Sequence, residues 1–277
     1  MDVEQVRAFY DDYGLREWER LETSPEGRII YHLHRRFLDG HFGPAVRVLD
    51  AGSGPGRFSI HMAEGGSRVT LLDLSPEQLR IAKCQLEAHG LADRVDGFHQ
   101  GDVRRLDHLA AGSFDTVVCF GAVLNYLLQD AAQAVRELAR VARPGGTVLV
   151  SVNSRIGTLR WFAVSGAKGA RDFLSRPDYW PVHSVASSGD FPAHPELGHP
   201  DRHLYLSGEL ADLMTACGLR DVKLATAPAL ATGYASRLEE IYQCPAAWAT
   251  LLDLEEQAYE QPGLLDAGYF ILAKATA

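Results

Sequence analysis

Apolar runs alternate with amphipathic stretches between residues 45 and 151. The apolar runs, which predict strands, cover residues 46–50, 68–73, 95–99, 114–120 and 147–151. Stretches with helical periodicity separate them, at residues 57–64, 75–89 and 130–141. Near-continuous apolar strands separated by helices are typical of a parallel sheet that is covered on both faces. The pattern predicts a doubly wound α/β domain, which binds ligands at the carboxyl ends of its strands.

The flanking regions follow a different pattern. Ser24-Pro25-Glu26 and Ser75-Pro76-Glu77 each combine an N-cap serine, a proline at the first helical position and an acidic residue. The first predicts a helix over residues 24–39, and the second marks the start of the helix at 75–89. Further elements are predicted as a helix at 207–216, a strand near 219–225, a helical region at 236–260 interrupted at Pro245, and a strand at 268–274.

Residues 152–206 separate the core from these last elements. The stretch holds five prolines, and a long insertion of this kind usually folds over a ligand or forms a lid. Its aromatic residues, which would favour an aromatic or apolar ligand, are Trp161, Phe162, Phe173, Tyr179, Trp180, Phe191 and Tyr205.

Composition and charge narrow the functional classes. The 277 residues include 46% hydrophobic and 23% charged residues, which is ordinary for a soluble enzyme. The net charge of −9 and the lack of a basic run count against a nucleic-acid partner. The four cysteines lie far apart without metal-finger spacing, and the acidic amino terminus is unlike a signal peptide. We therefore expect a reduced, cytoplasmic enzyme with a small-molecule substrate and no membrane segment.

A glycine-rich loop follows the first predicted strand. Gly52, Gly54 and Gly56 are spaced G-x-G-x-G, and Arg57 stands where the dinucleotide fingerprint needs its third glycine. Asp50 lies two residues before the first glycine, where its carboxylate would repel a pyrophosphate and attract an ammonium group. The loop therefore favours a ligand with a positive group, although such turns also occur for structural reasons alone.

Carboxylates follow the next two strands. Asp73 ends the second strand, where it would accept hydrogen bonds from both hydroxyls of a ribose or, alternatively, begin a turn. Asp102 follows the third strand and suits an exocyclic adenine amine, or equally an N-cap for residues 103–105. The fourth strand leaves Phe120 and Gly121 at its carboxyl end, under the expected ligand.

In order and spacing, these pieces over residues 42–153 resemble the class I S-adenosylmethionine-dependent methyltransferases, in particular their type 11 small-molecule group. The resemblance implies a Rossmann-like, mostly parallel seven-stranded sheet with a reversed last hairpin, and S-adenosylmethionine as cofactor. It further implies a set of cofactor-binding residues at the strand ends, namely Asp50, Gly52, Ser53, Gly54, Asp73, Leu74, Asp102, Val103, Phe120 and Gly121.

The amino-terminal segment offers three further candidates. Tyr10 and Tyr13 could shield the cofactor's sulfonium, and Arg28 could pair with its methionine carboxylate. The alternative for both tyrosines is an apolar helix face that packs on the domain.

A general base is sought among the residues of the insertion and of the fourth-strand loop. His203 and His183 are the candidates in the insertion, and Tyr126 follows the fourth strand, where it contacts substrate or belongs to the core. The histidine spacings do not suit a metal site, so no metal is expected.

The flanks are similar to bacterial enzymes that methylate the carboxymethoxyuridine carboxylate at the tRNA wobble position. Shared features are a glycine near residue 27, the turn from Asn153 to Gly157, and the tail at residues 251–273. That family has a histidine at the position of Gly121, and an arginine that aligns with Ile30 unless a gap brings Arg28 into place. Together with the acidic charge, these departures count against a tRNA substrate.

The sequence thus predicts in-line methyl transfer to the O, N or S atom of a small, aromatic or apolar metabolite, as in secondary metabolism. The alternatives are a tRNA methyltransferase, a non-catalytic S-adenosylmethionine-binding protein and, at the level of the fold, a nicotinamide oxidoreductase. We expect a single domain over 1–277. Its predicted parts are a helical cap (1–42), a cofactor-binding core (43–151), a substrate lid (152–206) and the carboxy-terminal part of the sheet (207–277).

Overall fold

A seven-stranded sheet organises the protein. The computed structural model describes residues 2–164, 170–177, 180–194 and 198–277. In chain order its strands are β1 (Arg47–Ala51), β2 (Arg68–Asp73), β3 (Val95–Gln100), β4 (Phe114–Cys119), β5 (Ala142–Asn153), β6 (Asp190–Phe191), β7 (Arg202–His203), β8 (Arg220–Ala227) and β9 (Phe270–Thr276). The sheet order is β3-β2-β1-β4-β5-β9-β8, while β6 and β7 form a separate hairpin.

Strand directions confirm the expected topology. Strands β1 to β5 pair in parallel, whereas β9 runs antiparallel to both β5 and β8. The carboxyl ends of β1, β2, β3 and β4 therefore meet at one edge of the sheet, as parallel strands with crossover connections require. The last hairpin is the reversed element that the resemblance implies.

Helices cover both faces of the sheet. In chain order they are α1 (Val3–Tyr13), α2 (Leu15–Glu19), α3 (Pro25–Leu38), α4 (Arg57–Glu64), α5 (Pro76–Ala88), α6 (Ala131–Val141), α7 (Arg155–Val164), α8 (Ala170–Ser175), α9 (Val182–Ser188), α10 (Ser207–Ala216), α11 (Ala235–Tyr242) and α12 (Pro245–Ala258). Short 3₁₀ helices occupy Ala92–Arg94, Val123–Asp130 and Pro262–Leu264. The two predicted N-caps are confirmed, because Ser24 accepts from the Gly27 amide and Ser75 from the Gln78 amide.

Three hydrophobic clusters form the interior. Neighbouring residues of β1 face opposite sides, so Val48 joins a cluster with α3, α4 and α5, and Leu49 joins one with α6 and α10. The third cluster lies within the insertion. It consists of Phe162, Phe173, Trp180, Val185, Phe191 and Leu204. Of the aromatic residues noted in the insertion, Tyr179 lies outside the described residues.

Candidate active site

A cavity opens at the carboxyl ends of the parallel strands, under α1 and α2. It encloses about 880 Å³, including its open mouth. Its floor comes from the loops after β1, β2, β3 and β4, and its roof from the amino-terminal segment. The lining residues that the sequence singled out by resemblance are Gly52, Ser53, Gly54, Asp73, Leu74, Asp102, Val103, Phe120 and Gly121.

The loop after β1 turns its amides inward. The Gly52 and Ser53 amides donate to the Leu72 carbonyl at 2.6 and 3.0 Å, and the Gly54 amide donates to Asp73 Oδ2 at 2.7 Å. Gly52 has a φ of +77°, and a Cβ there would lie 2.3 Å from a Val123 methyl carbon. Because these amides are already bonded to β2, they do not form the anion nest that a pyrophosphate needs. The loop is therefore not built to bind a pyrophosphate.

Two carboxyl groups lie beside this loop at different depths. Asp50, 1% exposed, accepts a hydrogen bond from Ser59 Oγ of α4 at 2.6 Å and does not line the cavity. Burial raises the pKa of Asp50 to about 7. Asp73 lines the cavity and accepts from the amides of Gly54 and Ser75, while burial raises its pKa to about 6.

Of the two roles left open for Asp102, the N-cap is wrong, because residues 103–105 form no helix, and the contact with an adenine amine stays a prediction. Asp102 lines the cavity and accepts from the Arg104 backbone amide at 2.9 Å. The Arg104 guanidinium also bonds both oxygens of Asp102 and contacts Asp130. Each carboxylate oxygen has a further lone pair, so a ligand amine can still be accepted. The sequence did not indicate that Arg104 holds this carboxylate in place.

An ion pair on the roof was missed by the sequence analysis. Arg20 Nη2 lies 2.5 Å from Glu17 Oε1, and both side chains line the cavity. A Cβ placed at Gly54 would lie 3.7 Å from Glu17 Cγ, and one at Gly121 would lie 3.7 Å from Arg20 Nη2. Burial lowers the pKa of Arg20, but the Glu17 carboxylate raises it by more, so the net shift is upward. A guanidinium beside a carboxylate complements the charged ends of an amino acid.

Arg57 and Gln78 anchor the roof to the core. The Arg57 guanidinium lies over the Trp18 ring, 3.8 Å from its centroid, donates to the Trp18 carbonyl and pairs with Glu22. Gln78 Nε2 donates to the carbonyls of Tyr10 and Gly14 at 3.0 and 3.1 Å. This explains why an arginine stands at position 57 after the glycine-rich loop: its side chain holds the amino-terminal segment over the cavity.

Tyr13 and Arg28 are not among the residues that line the cavity. Tyr13 stacks on Phe9 with ring centroids 5.6 Å apart, and its hydroxyl still interacts electrostatically with Glu17 and Arg20 of the cavity wall. The Arg28 guanidinium lies over the Tyr242 ring at 5.2 Å. Against the expectation, the structure places neither residue on the cavity wall, and the arginines that line the cavity are Arg20 and Arg57.

Two tyrosines meet inside the cavity. The Tyr10 hydroxyl of the roof donates to the Tyr126 hydroxyl of the β4 loop at 3.2 Å, and both residues line the cavity. Burial raises the pKa of Tyr10 well above its usual value. Tyr126 is thus the one catalytic candidate from the sequence that the described structure places among the lining residues.

The two histidine candidates lie elsewhere. His203 lines a separate groove, and its ring nitrogens bond Asp190 at 3.2 Å and Glu209 at 2.6 Å. His183 is exposed on α9. A base must reach the proton that it removes, so the expectation of a base on the insertion is corrected for both residues. Among the described residues, no group of three His, Cys, Asp or Glu side chains is arranged to hold a metal ion.

The flank motifs shared with the tRNA enzymes have structural roles. A Cβ at Gly157 would lie 1.9 Å from the Gly268 carbonyl oxygen, so the turn at residues 153–157 and the tail meet backbone to backbone. The buried carboxylate of Glu255, within that tail, accepts from the amides of Ala229 at 2.6 Å and Ala231 at 2.8 Å. These contacts hold the last hairpin in place and lie outside the cavity.

Comparisons with known proteins agree with this architecture. A family model described as a methyltransferase domain matches residues 48–146. A ubiquinone biosynthesis O-methyltransferase of Aromatoleum aromaticum is 32% identical over 168 residues, which cover 60% of this chain and 70% of that protein. A protein of the same name from Xanthomonas oryzae is 35% identical over 134 residues, 47% of this chain. The chain spans about half of that relative's length, 53%.

A solved structure extends the likeness to the whole fold. The S-adenosylmethionine-dependent methyltransferase of Mesorhizobium loti superposes with a TM-score of 0.58 at 21% identity, covering 93% of this chain and all of that one. At this identity the likeness concerns the fold, and it confirms the predicted Rossmann-like class. Within the described residues, no helix has both the length and the apolar character needed to cross a membrane.

Proposed function

The chain belongs to the class I S-adenosylmethionine-dependent methyltransferases, and we propose that it methylates an O, N or S atom of a small apolar or aromatic molecule. The observation that carries the proposal is that charged and apolar side chains line the same cavity. The charged side chains include Glu17, Arg20, Asp73 and Asp102. The apolar walls are formed by Val6, Leu21, Phe58, Phe120, Val123 and Leu127.

The charged side chains fit the cofactor. When bound, S-adenosylmethionine supplies a methyl group that is already activated on a sulfonium, so the chain's task is to position the reactants and exclude water. Under our proposal, the amino-acid end is held by Arg20 and Glu17, with the glycine loop beside them. The remaining assignments, all at strand ends, are Asp73 and Leu74 to the ribose, Asp102 and Val103 to the adenine, and Phe120 and Gly121 to the reacting centre.

The apolar side chains support the proposed acceptor class. The sequence-based argument for an aromatic acceptor rested on the insertion, in which Phe162, Phe173, Trp180 and Phe191 pack on one another. Support now comes from the cavity walls, which include apolar as well as charged side chains. The net charge of −9 and Gly121 at the position of the tRNA family's histidine do not favour tRNA. A cytoplasmic role in secondary metabolism stays a prediction.

The test measures cofactor binding and turnover separately. Calorimetry with S-adenosylmethionine and S-adenosylhomocysteine should give saturable binding, and a panel of apolar phenols, carboxylic acids, amines and thiols should yield S-adenosylhomocysteine with at least one member. Turnover with tRNA alone would support the tRNA alternative. Binding without turnover on either panel would favour a non-catalytic protein, and tight binding of NADH with none of S-adenosylmethionine would overturn the proposal.

A further inference from the structure

The geometry points to an acceptor that binds with a negative charge already on its reacting oxygen, oriented by a hydrogen bond from Tyr126 that Tyr10 strengthens. The acceptor class is then an oxyanion, either the phenolate of an acidic phenol or a carboxylate. This inference rests on the proposed function and, among its oxygen acceptors, selects those that bind in ionised form.

The hydroxyl pair supplies one directed donor. Tyr10 comes from the roof and Tyr126 from the loop after β4, with their rings edge to face and 5.9 Å between centroids. The Tyr10 hydroxyl donates to the Tyr126 oxygen at 3.2 Å. Within the described part of the chain, no side chain or carbonyl accepts the Tyr126 proton, which leaves it for a ligand. Hydrogen bonds in a chain polarise one another, so Tyr10 makes Tyr126 a stronger donor.

The carboxylates of the cavity are already bonded. Glu17 bonds Arg20, and Asp102 bonds Arg104. Asp73 accepts from two backbone amides. None of the three faces the tyrosine pair as a free base in the described structure.

The other side chains of the cavity do not provide a base either. The described lining residues include no histidine, lysine or cysteine. Burial raises the pKa of Tyr10, so its hydroxyl stays protonated at neutral pH. A neutral hydroxyl acceptor needs a base to remove its proton, whereas an ionised acceptor does not. The cavity therefore suits an acceptor that has lost its proton in solution.

The transfer step then balances without proton movement. An oxygen lone pair forms the bond to the methyl carbon while the carbon–sulfur bond breaks, and its electron pair stays on sulfur. The negative oxygen and the positive sulfonium both become neutral. In this step the chain orients the oxygen through Tyr126 and keeps water out with the apolar walls.

The experiment uses 4-nitrophenol as a probe, because its ionised form absorbs at a different wavelength from its neutral form. The full chain, saturated with S-adenosylhomocysteine, is titrated at pH values below and above the ionisation of the probe. We expect binding of the phenolate and little binding of the neutral phenol. Tyr126→Phe should weaken phenolate binding about tenfold, as for a hydrogen bond to a charged group, and Tyr10→Phe about threefold.

Tyr234→Phe is the control, because it removes a hydroxyl from an exposed tyrosine that does not line the cavity. It should leave phenolate affinity unchanged, and all three variants should keep the wild-type affinity for S-adenosylhomocysteine. Competition with benzoate distinguishes the two sources of oxyanion, since displacement of the probe shows that a carboxylate is also accepted. Once an acceptor is found, kcat/KM should follow the acceptor's own ionisation rather than that of a group on the chain.

Three results would overturn the inference: tighter binding of the neutral phenol, no phenolate binding at millimolar probe, or equal affinity in Tyr126→Phe and the wild type. Each of them leaves the proposed function standing as long as S-adenosylhomocysteine still binds. A wild-type chain that binds neither S-adenosylmethionine nor S-adenosylhomocysteine would instead contradict the proposed function itself.

Discussion

The amino-terminal segment and the insertion were both expected to cover the ligand, and of their described residues only those of the first line the cavity. The segment contributes Val6, Tyr10, Glu17, Arg20 and Leu21 to the walls. The insertion, residues 152–206, contributes no lining residue within its described part. The many aromatic side chains of the insertion therefore did not indicate which region covers the cavity.

Polar contacts with the core loops distinguish the two regions. The segment is bonded to the glycine-rich loop and to the start of α5 through Arg57, Ser75 and Gln78. In the insertion, the Phe162 and Phe173 rings stack with centroids 4.7 Å apart and bury their surface against each other. The insertion buries its apolar side chains against one another and therefore needs no contact with the ligand site. The amino-terminal segment is instead held in place by polar contacts to residues beside that site.

The largest expected effect is on stability, in the insertion. Phe162→Ala removes a fully buried ring and should lower the free energy of unfolding by about 3–5 kcal/mol. The affinity for S-adenosylhomocysteine should stay within about twofold of wild type, because this ring is remote from the cavity. Urea unfolding and calorimetry measure the two quantities. A clear loss of affinity in a variant that remains folded would show that the insertion is a lid after all.

Removal of the Arg57 side chain, which holds the amino-terminal segment over the cavity, should affect both the stability of the chain and its cofactor binding. Arg57→Met removes a buried cation–π contact and the donors to the Trp18 carbonyl, so unfolding should become easier by about 2–3 kcal/mol. Hydrogen exchange should rise over residues 3–21, and affinity for S-adenosylhomocysteine should fall. Arg16→Met, an exposed change on the same segment, is the control and should do neither. Unchanged hydrogen exchange in Arg57→Met would contradict the role of Arg57 in holding this segment in place.

The two ends of the cofactor site can be separated with a truncated ligand. Asp73→Ala should weaken both S-adenosylhomocysteine and 5′-methylthioadenosine by about 1–3 kcal/mol, because both carry the ribose. Arg20→Met should weaken S-adenosylhomocysteine by a similar amount and leave 5′-methylthioadenosine unchanged, because the latter lacks the amino-acid group. Calorimetry with both ligands tests this. Equal losses for both ligands in Arg20→Met would remove that residue from the amino-acid end.

The smallest expected effect, when expressed per pH unit, is the change of the free energy of unfolding with pH. An unfolded aspartate ionises near about 3.9, whereas burial raises the pKa of Asp50 to about 7 and that of Asp73 to about 6. The folded state therefore binds more protons in this window. The free energy of unfolding should fall as pH rises from about 4 to about 7, by up to about 1.4 kcal/mol per unit for each group. Asp50→Asn should flatten the slope, and an unchanged slope would contradict the shift.

Much of the fold followed from local features of the sequence. The strands, the serine N-caps and the inward-turned glycine loop depend on periodicity and turn chemistry over a few residues. The Asp73 position was predicted in the same way, since a strand end is placed by its own apolar run.

Tertiary structure alone decided which side chains reach the cavity. Arg20 and Arg28 lie eight residues apart in the same polar segment, and no local pattern separates the one in the cavity from the one over Tyr242. Arg57 acquires its role only when Trp18 is packed against it, and Glu255 only when the loop at residues 229–231 presents its amides. The sequence by itself determined a sheet with a cofactor-sized gap at its strand ends, because those signals are local. The roof of that gap depends on contacts between residues far apart in the chain, which only the packed structure brings together.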